Sequence, residues 1–351
     1  MTSTSTSPDD RISSLKLPVD YVGAFAAFGE AAAFMNRYSI YLADLATGSV
    51  GKIGDSNGSY GLEGFAFDGE AAYWLKNTKQ TTPDLVPCLR NGPITWQLFR
   101  LDVSTRQTQT LRSGVQKQDV DCGPLPVIFD VDADTLAVAH EADASPGWDI
   151  DLTSIANGAL VRTIHTDLPV QSVSVSGGDV AFVVGTYKDV LSFGDPGGDY
   201  GPTPAFVDTK LMFSAASDGT SRALADDAYS VELDAGRLIW MKGLDENVRP
   251  VPGELMTSLV DPLSPIIVSD LRFPDYADDG ALITWWGEGQ NIWRASDQAA
   301  AQIGLSWDPS EIADGTVSDG WLTWHGGRTS VDSEIYGPDY LFGIPVADIP
   351  L

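Results

Sequence analysis

Cysteine is almost absent from this chain, with Cys88 and Cys122 the only two in 351 residues. There is no CxxC pair and there are only three His, which argues against a structural zinc site. Positive charge is scarce too: 21 Lys and Arg stand against 49 Asp and Glu, a net charge of −28. Such a chain repels a phosphate backbone, so no nucleic-acid partner is expected. Anionic membranes are disfavoured for the same reason. The longest apolar run, Ala24 to Met35, is interrupted by Gly29 and Glu30 and falls short of the roughly 20 residues of a membrane helix. No membrane insertion is expected. Gly and Pro have no triplet period, which argues against a collagen-like chain. No segment carries a helical period, which argues against an α/β fold. HExxH, P-loop and dinucleotide fingerprints are missing.

What the chain has instead is a repeat. A short alternating strand meets a tight Gly or Asp turn and returns as a more hydrophobic strand. Copies run from Phe25 to Phe34 around Gly29, Phe65 to Trp74 around Gly69, and Phe129 to Val138 around Asp134. Others run from Val173 to Phe182 around Gly178, Val231 to Trp240 around Gly236, Asp278 to Trp285 around Gly280, and Val317 to Trp324 around Gly320. Alternation around such a turn is the signature of a β-hairpin. A third strand recurs from Ile40 to Gly48 and from Leu98 to Arg106, with looser copies at Ile150, Leu211 and Ile292. Thr-Gly, Asn-Gly and Asp-Gly steps then turn into a fourth.

Seven units spread over about 340 residues give about 49 each, the size of a propeller blade. The expected fold is all-β: a seven-bladed β-propeller of four-stranded antiparallel blades. A large β-sandwich or a β-helix is the alternative. The last unit offers Tyr340 to Val346 as its third strand and no fourth. Ile12 to Leu17 is strand-like and is expected to fill that gap, so the N-terminal strand closes the last blade. Residues 1–10 are Ser/Thr-rich and read as a disordered lead-in, leaving residues 11–351 as a single propeller domain. The form Ile-Tyr-x-x-Asp-Leu-x-Thr-Gly at Ile40 to Gly48 resembles the TolB/YVTN-type propellers. The resemblance implies the fold only, since propellers host binding proteins, lyases and hydrolases alike.

In such a blade the connections after strands two and four open on one face. Those after strand two are long in residues 76–95, 141–148, 188–209, 243–253 and 326–339, and connections of this length usually carry function. The second strands end near Arg37, Lys76, His140, Gly185, Lys242, Trp286 and His325, with Lys188 and Arg328 close by. A very acidic chain thus gathers cations at one opening, which suits an anionic ligand; equally, each cation could pair with a carboxylate of the rim. Cys88 and Cys122 map to the same face, either as a disulfide or as two free thiols.

Three motifs point to chemistry only weakly. Gly54 to Gly58 spells GxSxG around Ser56, but no helix follows it as a nucleophile elbow requires. Asp130, Asp132 and Asp134 with Glu141 have EF-hand spacing, but the flanking helices and the loop Gly are missing. Asp195 and Asp199 lie in a Gly-rich segment that is either an ordinary turn or a set of oxygen ligands for Ca²⁺, the one cofactor in question.

Two functions follow. One is a non-catalytic propeller, monomeric, that binds a small anionic molecule, a saccharide or a protein partner through its long-loop face. Its contact residues would be Arg37, Lys76, His140, Lys188, Lys242, Trp286, His325 and Arg328. The alternative is a lyase or glycoside hydrolase acting on an anionic saccharide. There His140 or His325 would be the base and Tyr187 or Tyr336 the acid. A Cys88–Cys122 disulfide would favour a secreted or extracytoplasmic location, and free thiols the cytoplasm.

Overall fold

Alternating residues on either side of a two-residue turn can satisfy their backbone groups only by pairing, and the repeat does so throughout. The fold is a computed structural model that describes residues 12–19, 22–36, 38–57, 64–81, 91–116, 127–143, 145–190, 203–243, 253–271, 276–278, 282–286, 290–296, 298–303, 312–329 and 336–349. The strands are β1 (Ser13–Lys16), β2 (Ala24–Phe28), β3 (Ala31–Asn36), β4 (Ser39–Asp44), β5 (Ser49–Asp55), β6 (Phe65–Phe67) and β7 (Ala71–Thr81). Next come β8 (Asn91–Asp102), β9 (Thr108–Gln116), β10 (Ile128–Asp132), β11 (Thr135–Glu141), β12 (Trp148–Ser154), β13 (Leu160–Thr166) and β14 (Val170–Ser176). They are followed by β15 (Asp179–Val190), β16 (Thr203–Ser214), β17 (Ser221–Asp226), β18 (Ala228–Asp234), β19 (Arg237–Lys242), β20 (Gly253–Leu259) and β21 (Ile266–Leu271). The chain finishes with β22 (Tyr276–Asp278), β23 (Leu282–Trp286), β24 (Gln290–Arg294), β25 (Ala299–Ile303), β26 (Ile312–Ser318), β27 (Trp321–Thr329) and β28 (Tyr336–Pro345).

These strands form four-stranded sheets in sequence order: β2–β5, β6–β9, β10–β13, β14–β17, β18–β21 and β22–β25, and then β26-β27-β28 with β1 outermost. The fold is all-β, with the four-stranded antiparallel blades of a β-propeller. The strand expected at Ile12 to Leu17 is β1, and it pairs with β28 from Ser13↔Gly343 to Lys16↔Tyr340. The hairpin turns follow from local chemistry. At Ala235–Gly236 and Asp319–Gly320 both turn residues have positive φ, 44° and 77°, then 46° and 74°. That is the type I′ turn, whose twist suits a hairpin and whose second position suits Gly. The recurring Asp of the third strand closes the next turn: Asp44 accepts from the Thr47 amide and Asp102 from the Thr105 amide, both at 2.9 Å.

Two compact units can be described separately: Met1–Lys76 with Phe99–Gln109 and Phe273–Leu351, and Asn77–Leu98 with Thr110–Arg272. In both, the core lies between successive sheets. In the first, Met35 and Ile40 pack with Trp74, Phe99 and Leu101. In the second, Ile150 and Ala137 meet Val173 and Phe182, while Leu211 and Phe213 meet Leu238 and Trp240. Second strands such as β11 and β19 are buried along most of their length, and outer strands such as β13 and β17 are mostly exposed. That gradient explains why the second strand of each repeat is the hydrophobic one.

The inner strand of each sheet has one row of backbone groups with no strand beside it, and side chains of the preceding sheet fill that row. In the second unit, Asp130 and Asp132 accept from the amides of Val175 (2.8 Å) and Gly177 (2.6 Å). Ser172, Ser174 and Ser176 accept from Val231 (3.2 Å), Leu233 (3.0 Å) and Ala235 (3.2 Å). In the first unit, Ser318 accepts from Gly29 at 2.9 Å. Two of the three aspartates with EF-hand spacing, Asp130 and Asp132, therefore serve as backbone acceptors. Outer strands of the second unit are fastened by arginine. Arg112 on β9 reaches Asp151, Arg162 on β13 reaches the Gly178 and Ala215 carbonyls, and Arg222 on β17 reaches the Val260 carbonyl.

Candidate functional site

Three connections expected as long loops are partly strand. Residues after Lys76 continue β7 to Thr81, those after Lys188 continue β15 to Val190, and β27 runs to Thr329. Their partners β8, β16 and β28 lengthen to match, so three hairpins carry arms beyond the length of β2 and β3. The arms pair as Tyr187↔Phe206 and Lys188↔Ala205 on one, and as Gly327↔Asp339 and Thr329↔Tyr336 on another, with a register shift between Gly327 and Thr329. For the connections expected at 141–148 and 243–253, the preceding strands β11 and β19 end at Glu141 and Lys242.

Among the described residues the aligned cations fall on second strands: Lys76 on β7, His140 on β11, Lys188 on β15, Lys242 on β19, His325 and Arg328 on β27. Trp286 ends β23, Tyr187 lies on β15 and Tyr336 opens β28. Arg37, Cys88, Cys122, Asp195 and Asp199 lie outside the described residues. In the first unit the Lys76 ammonium donates to the Asn57 carbonyl at 2.5 Å, and buried His325 packs on the Phe25 ring at 4.9 Å. In the second, exposed Lys242 faces its half-buried cross-strand partner Glu254 at 3.6 Å.

His140 has the richest surroundings. It is only 7% exposed. Its Nε2 lies 3.0 Å from Asp151 Oδ2, and its Nδ1 lies 2.7 Å from the Glu141 carbonyl. Asp151 Oδ2 also receives the Arg112 guanidinium, and Oδ1 accepts from the Thr163 hydroxyl at 2.5 Å. The Trp96 ring lies 5.8 Å from the imidazole. Burial works against charge on Asp151, but His140, Thr163 and Arg112 together hold its carboxyl well below the usual range. Burial likewise opposes charge on His140. The Asp151 hydrogen bond and the Glu141 carbonyl outweigh it, and the pKa is raised. Sequence reading found His140 but missed Asp151, Arg112, Thr163 and Trp96. These come from four other strands, and the one local signal is an Asp between Ile150 and Leu152 in a buried strand.

A second feature of the same unit lies at the other strand ends. A pocket of about 650 Å³ is lined by Phe213, Ala215, Arg222, Gly236, Leu259 and Val260, among others. The Arg222 guanidinium sits over the Phe213 ring at 5.7 Å. Among the described residues no three His, Cys, Asp or Glu side chains gather as a metal-binding group, and no helix is long and apolar enough to cross a membrane.

No protein-family model and no curated protein matches the sequence. Solved structures do match it. The β-propeller domain of the Trilobed protease from Pyrococcus furiosus, described as having an open velcro topology, is 9% identical. The match covers 92% of both chains at a TM-score of 0.57. An acylaminoacyl peptidase from Pyrococcus horikoshii is 11% identical over 88% of this chain, at a TM-score of 0.50. The match takes in 51% of that chain, so this protein spans about half the peptidase's length. TolB from Acinetobacter baumannii is also similar, at 12% identity over 91% of this chain and 77% of that one, with a TM-score of 0.39. The likeness is one of fold.

Proposed function

We propose that this chain is a non-catalytic β-propeller that binds a polypeptide partner through the end of its sheets where the hairpin arms project. In this reading residues 11–351 form one domain, and its seven sheets are the blades of one ring closed by the pairing of β1 with β28. The observation that carries it is the length of the arms. β15 and β16 run 12 residues each, against 5 and 6 for β2 and β3. Paired arms extend the backbone ladder of the sheet, which suits a large partner more than a small anion. The cations described in detail support this choice. Lys76, His140 and Lys242 already engage Asn57, Asp151 and Glu254. Both His140 nitrogens face acceptors inside the sheet, so no lone pair is directed at a substrate as a base would need. The propeller of the Trilobed protease is likewise a domain of a protein that acts on polypeptides, an analogy of fold alone. With a charge of −28, the partner surface is expected to be basic.

The test uses an array of short peptides spanning acidic, neutral and basic compositions. It is probed with the wild-type chain and with two variants. In one, residues 187–206 are replaced by Asn-Gly, which closes β15–β16 at the Thr186↔Val207 pair. In the other, residues 328–338 are replaced by Asn-Gly, which closes β27–β28 at Gly327↔Asp339. Binding of basic peptides by the wild type, lost in either trimmed variant without loss of folding, is the expected result. A blank array together with a thermal shift on phosphate, sulfate or a uronate oligosaccharide would overturn the polypeptide reading in favour of a small anion.

A further inference from the structure

A neutral imidazole carries one N–H and one lone pair, so it needs one acceptor and one donor. His140 is offered two acceptors. Nδ1 meets the Glu141 carbonyl, and Nε2 meets a carboxylate oxygen of Asp151 that also receives Arg112. A carboxylate held by a guanidinium and a hydroxyl has no proton to give. Only the imidazolium satisfies both contacts.

The charges around the ring can be named strand by strand. Asp151 on β12 favours the proton and Arg112 on β9 opposes it. Thr163 on β13 is neutral and occupies the other oxygen of Asp151. Trp96 on β8 turns a ring toward the imidazole. Asp149, cross-strand partner of His140 on β12, is bonded at 2.8 Å to His165 on β13. Glu141, next on β11, contributes its carbonyl, and its amide donates to the Gln116 side chain of β9 at 2.8 Å. His140 thus lies where β9 is fastened to the β11–β12 hairpin, at the start of the 142–147 connection.

We propose that the proton on His140 is the latch of this joint, and that its loss to solvent loosens β9 from β12 and frees the 142–147 connection. Without the proton, one lone pair must face either the Glu141 carbonyl or the Asp151 carboxylate, and that contact turns repulsive. The sign follows. The folded state holds the proton more tightly than the unfolded chain, so the latch is closed below the ordinary histidine pKa and opens as pH rises through the raised folded midpoint.

The chain has three His, so the test is direct. Full-length protein labelled with ¹⁵N at histidine is titrated from pH 6 to pH 10, with His140→Gln and His165→Gln for assignment. Both His140 nitrogens are expected to show the protonated signature at pH 7. The Ala142 amide, which donates to the Gly147 carbonyl at 3.0 Å, is expected to lose at least tenfold in exchange protection across the same midpoint. Arg112→Gln removes the opposing charge and is expected to move that midpoint upward. His140→Gln is expected to abolish the pH dependence of Ala142; should it fail to fold, the wild-type and Arg112→Gln titrations decide. A lone-pair nitrogen on His140 at pH 7, or Ala142 protection that stays level through the His140 midpoint, would overturn the proposal.

Discussion

Asp151 receives three donors while its side chain is only 8% exposed, and each donor would be stranded without it. Asp151→Asn keeps the shape but leaves Arg112 and His140 without their counter-charge. Removing one partner of a buried ion pair costs about 3–5 kcal/mol, and a loss of that size is expected in urea unfolding at pH 7. Its pH dependence has a definite sign. The carboxyl is held below its ordinary range, so its contribution is present above the unfolded pKa and is lost as pH falls through the folded one. Asp151→Asn is expected to flatten that acid limb. Asp130 works the other way. Burial, helped by Asp132, pushes its pKa up to about 6 against the bonds from Val175, Val131 and Ser174. Its contribution is therefore lost as pH rises from about 4 to about 6, and Asp130→Asn is expected to remove that slope from the pH dependence of the melting temperature. Little of this was legible in the sequence. The position of His140 at the end of a second strand marks a cation that either meets an anion or pairs with a carboxylate, and no local pattern singles out Asp151 as its partner. Arg112 and Asp151 lie 39 residues apart on different sheets and share no local pattern.

Strands depend on what lies beside them. β28 would have an open edge without β1, and the residue that follows β1, Leu17, is 1% exposed among Val22, Phe25, Phe34 and Leu341. Leu17→Ala is expected to cost about 2–5 kcal/mol, and removal of residues 1–16 to lower the melting temperature sharply. An unchanged melting temperature after that truncation would show that β28 needs no fourth strand. Between inner strands the hydroxyls matter in the same way. Ser174 accepts from Leu233 and donates to Asp130 at 3.0 Å. Ser174→Ala leaves a buried amide without an acceptor, for an expected loss of about 1–3 kcal/mol. Ser217→Ala, at an exposed turn, is expected to stay within about 0.5 kcal/mol. At this scale the sequence is informative. The hairpins around Gly29, Gly69, Asp134, Gly178, Gly236 and Gly320 all form where alternation and a tight turn coincide, and β1 is the strand expected at Ile12 to Leu17. The arms were less legible. Lys76 to Thr81 is wholly polar and its partner strand contains Pro93, so the segment reads as a loop although it pairs as a strand.

For the molecule as a whole, a charge of −28 means self-repulsion at neutral pH. Raising NaCl from about 0.01 M to about 1 M shortens the Debye length from about 30 Å to about 3 Å. The melting temperature is expected to rise by several degrees over that range. A fall would mean that internal pairs such as Arg112–Asp151 and Lys242–Glu254 outweigh the repulsion. The serine row on β14 has one more effect. Ser172, Ser174 and Ser176 each meet an amide 59 residues further on, and the β15–β16 arm lies within that interval. The hydroxyls set the sheet-to-sheet offset directly across space, whatever the number of residues in between. Insertions and deletions at 191–202 change the interval but leave the same hydroxyl opposite the same amide. The arm can therefore be lengthened, shortened or exchanged for a foreign sequence without unsettling the scaffold, so partner choice is open to change independently of the fold.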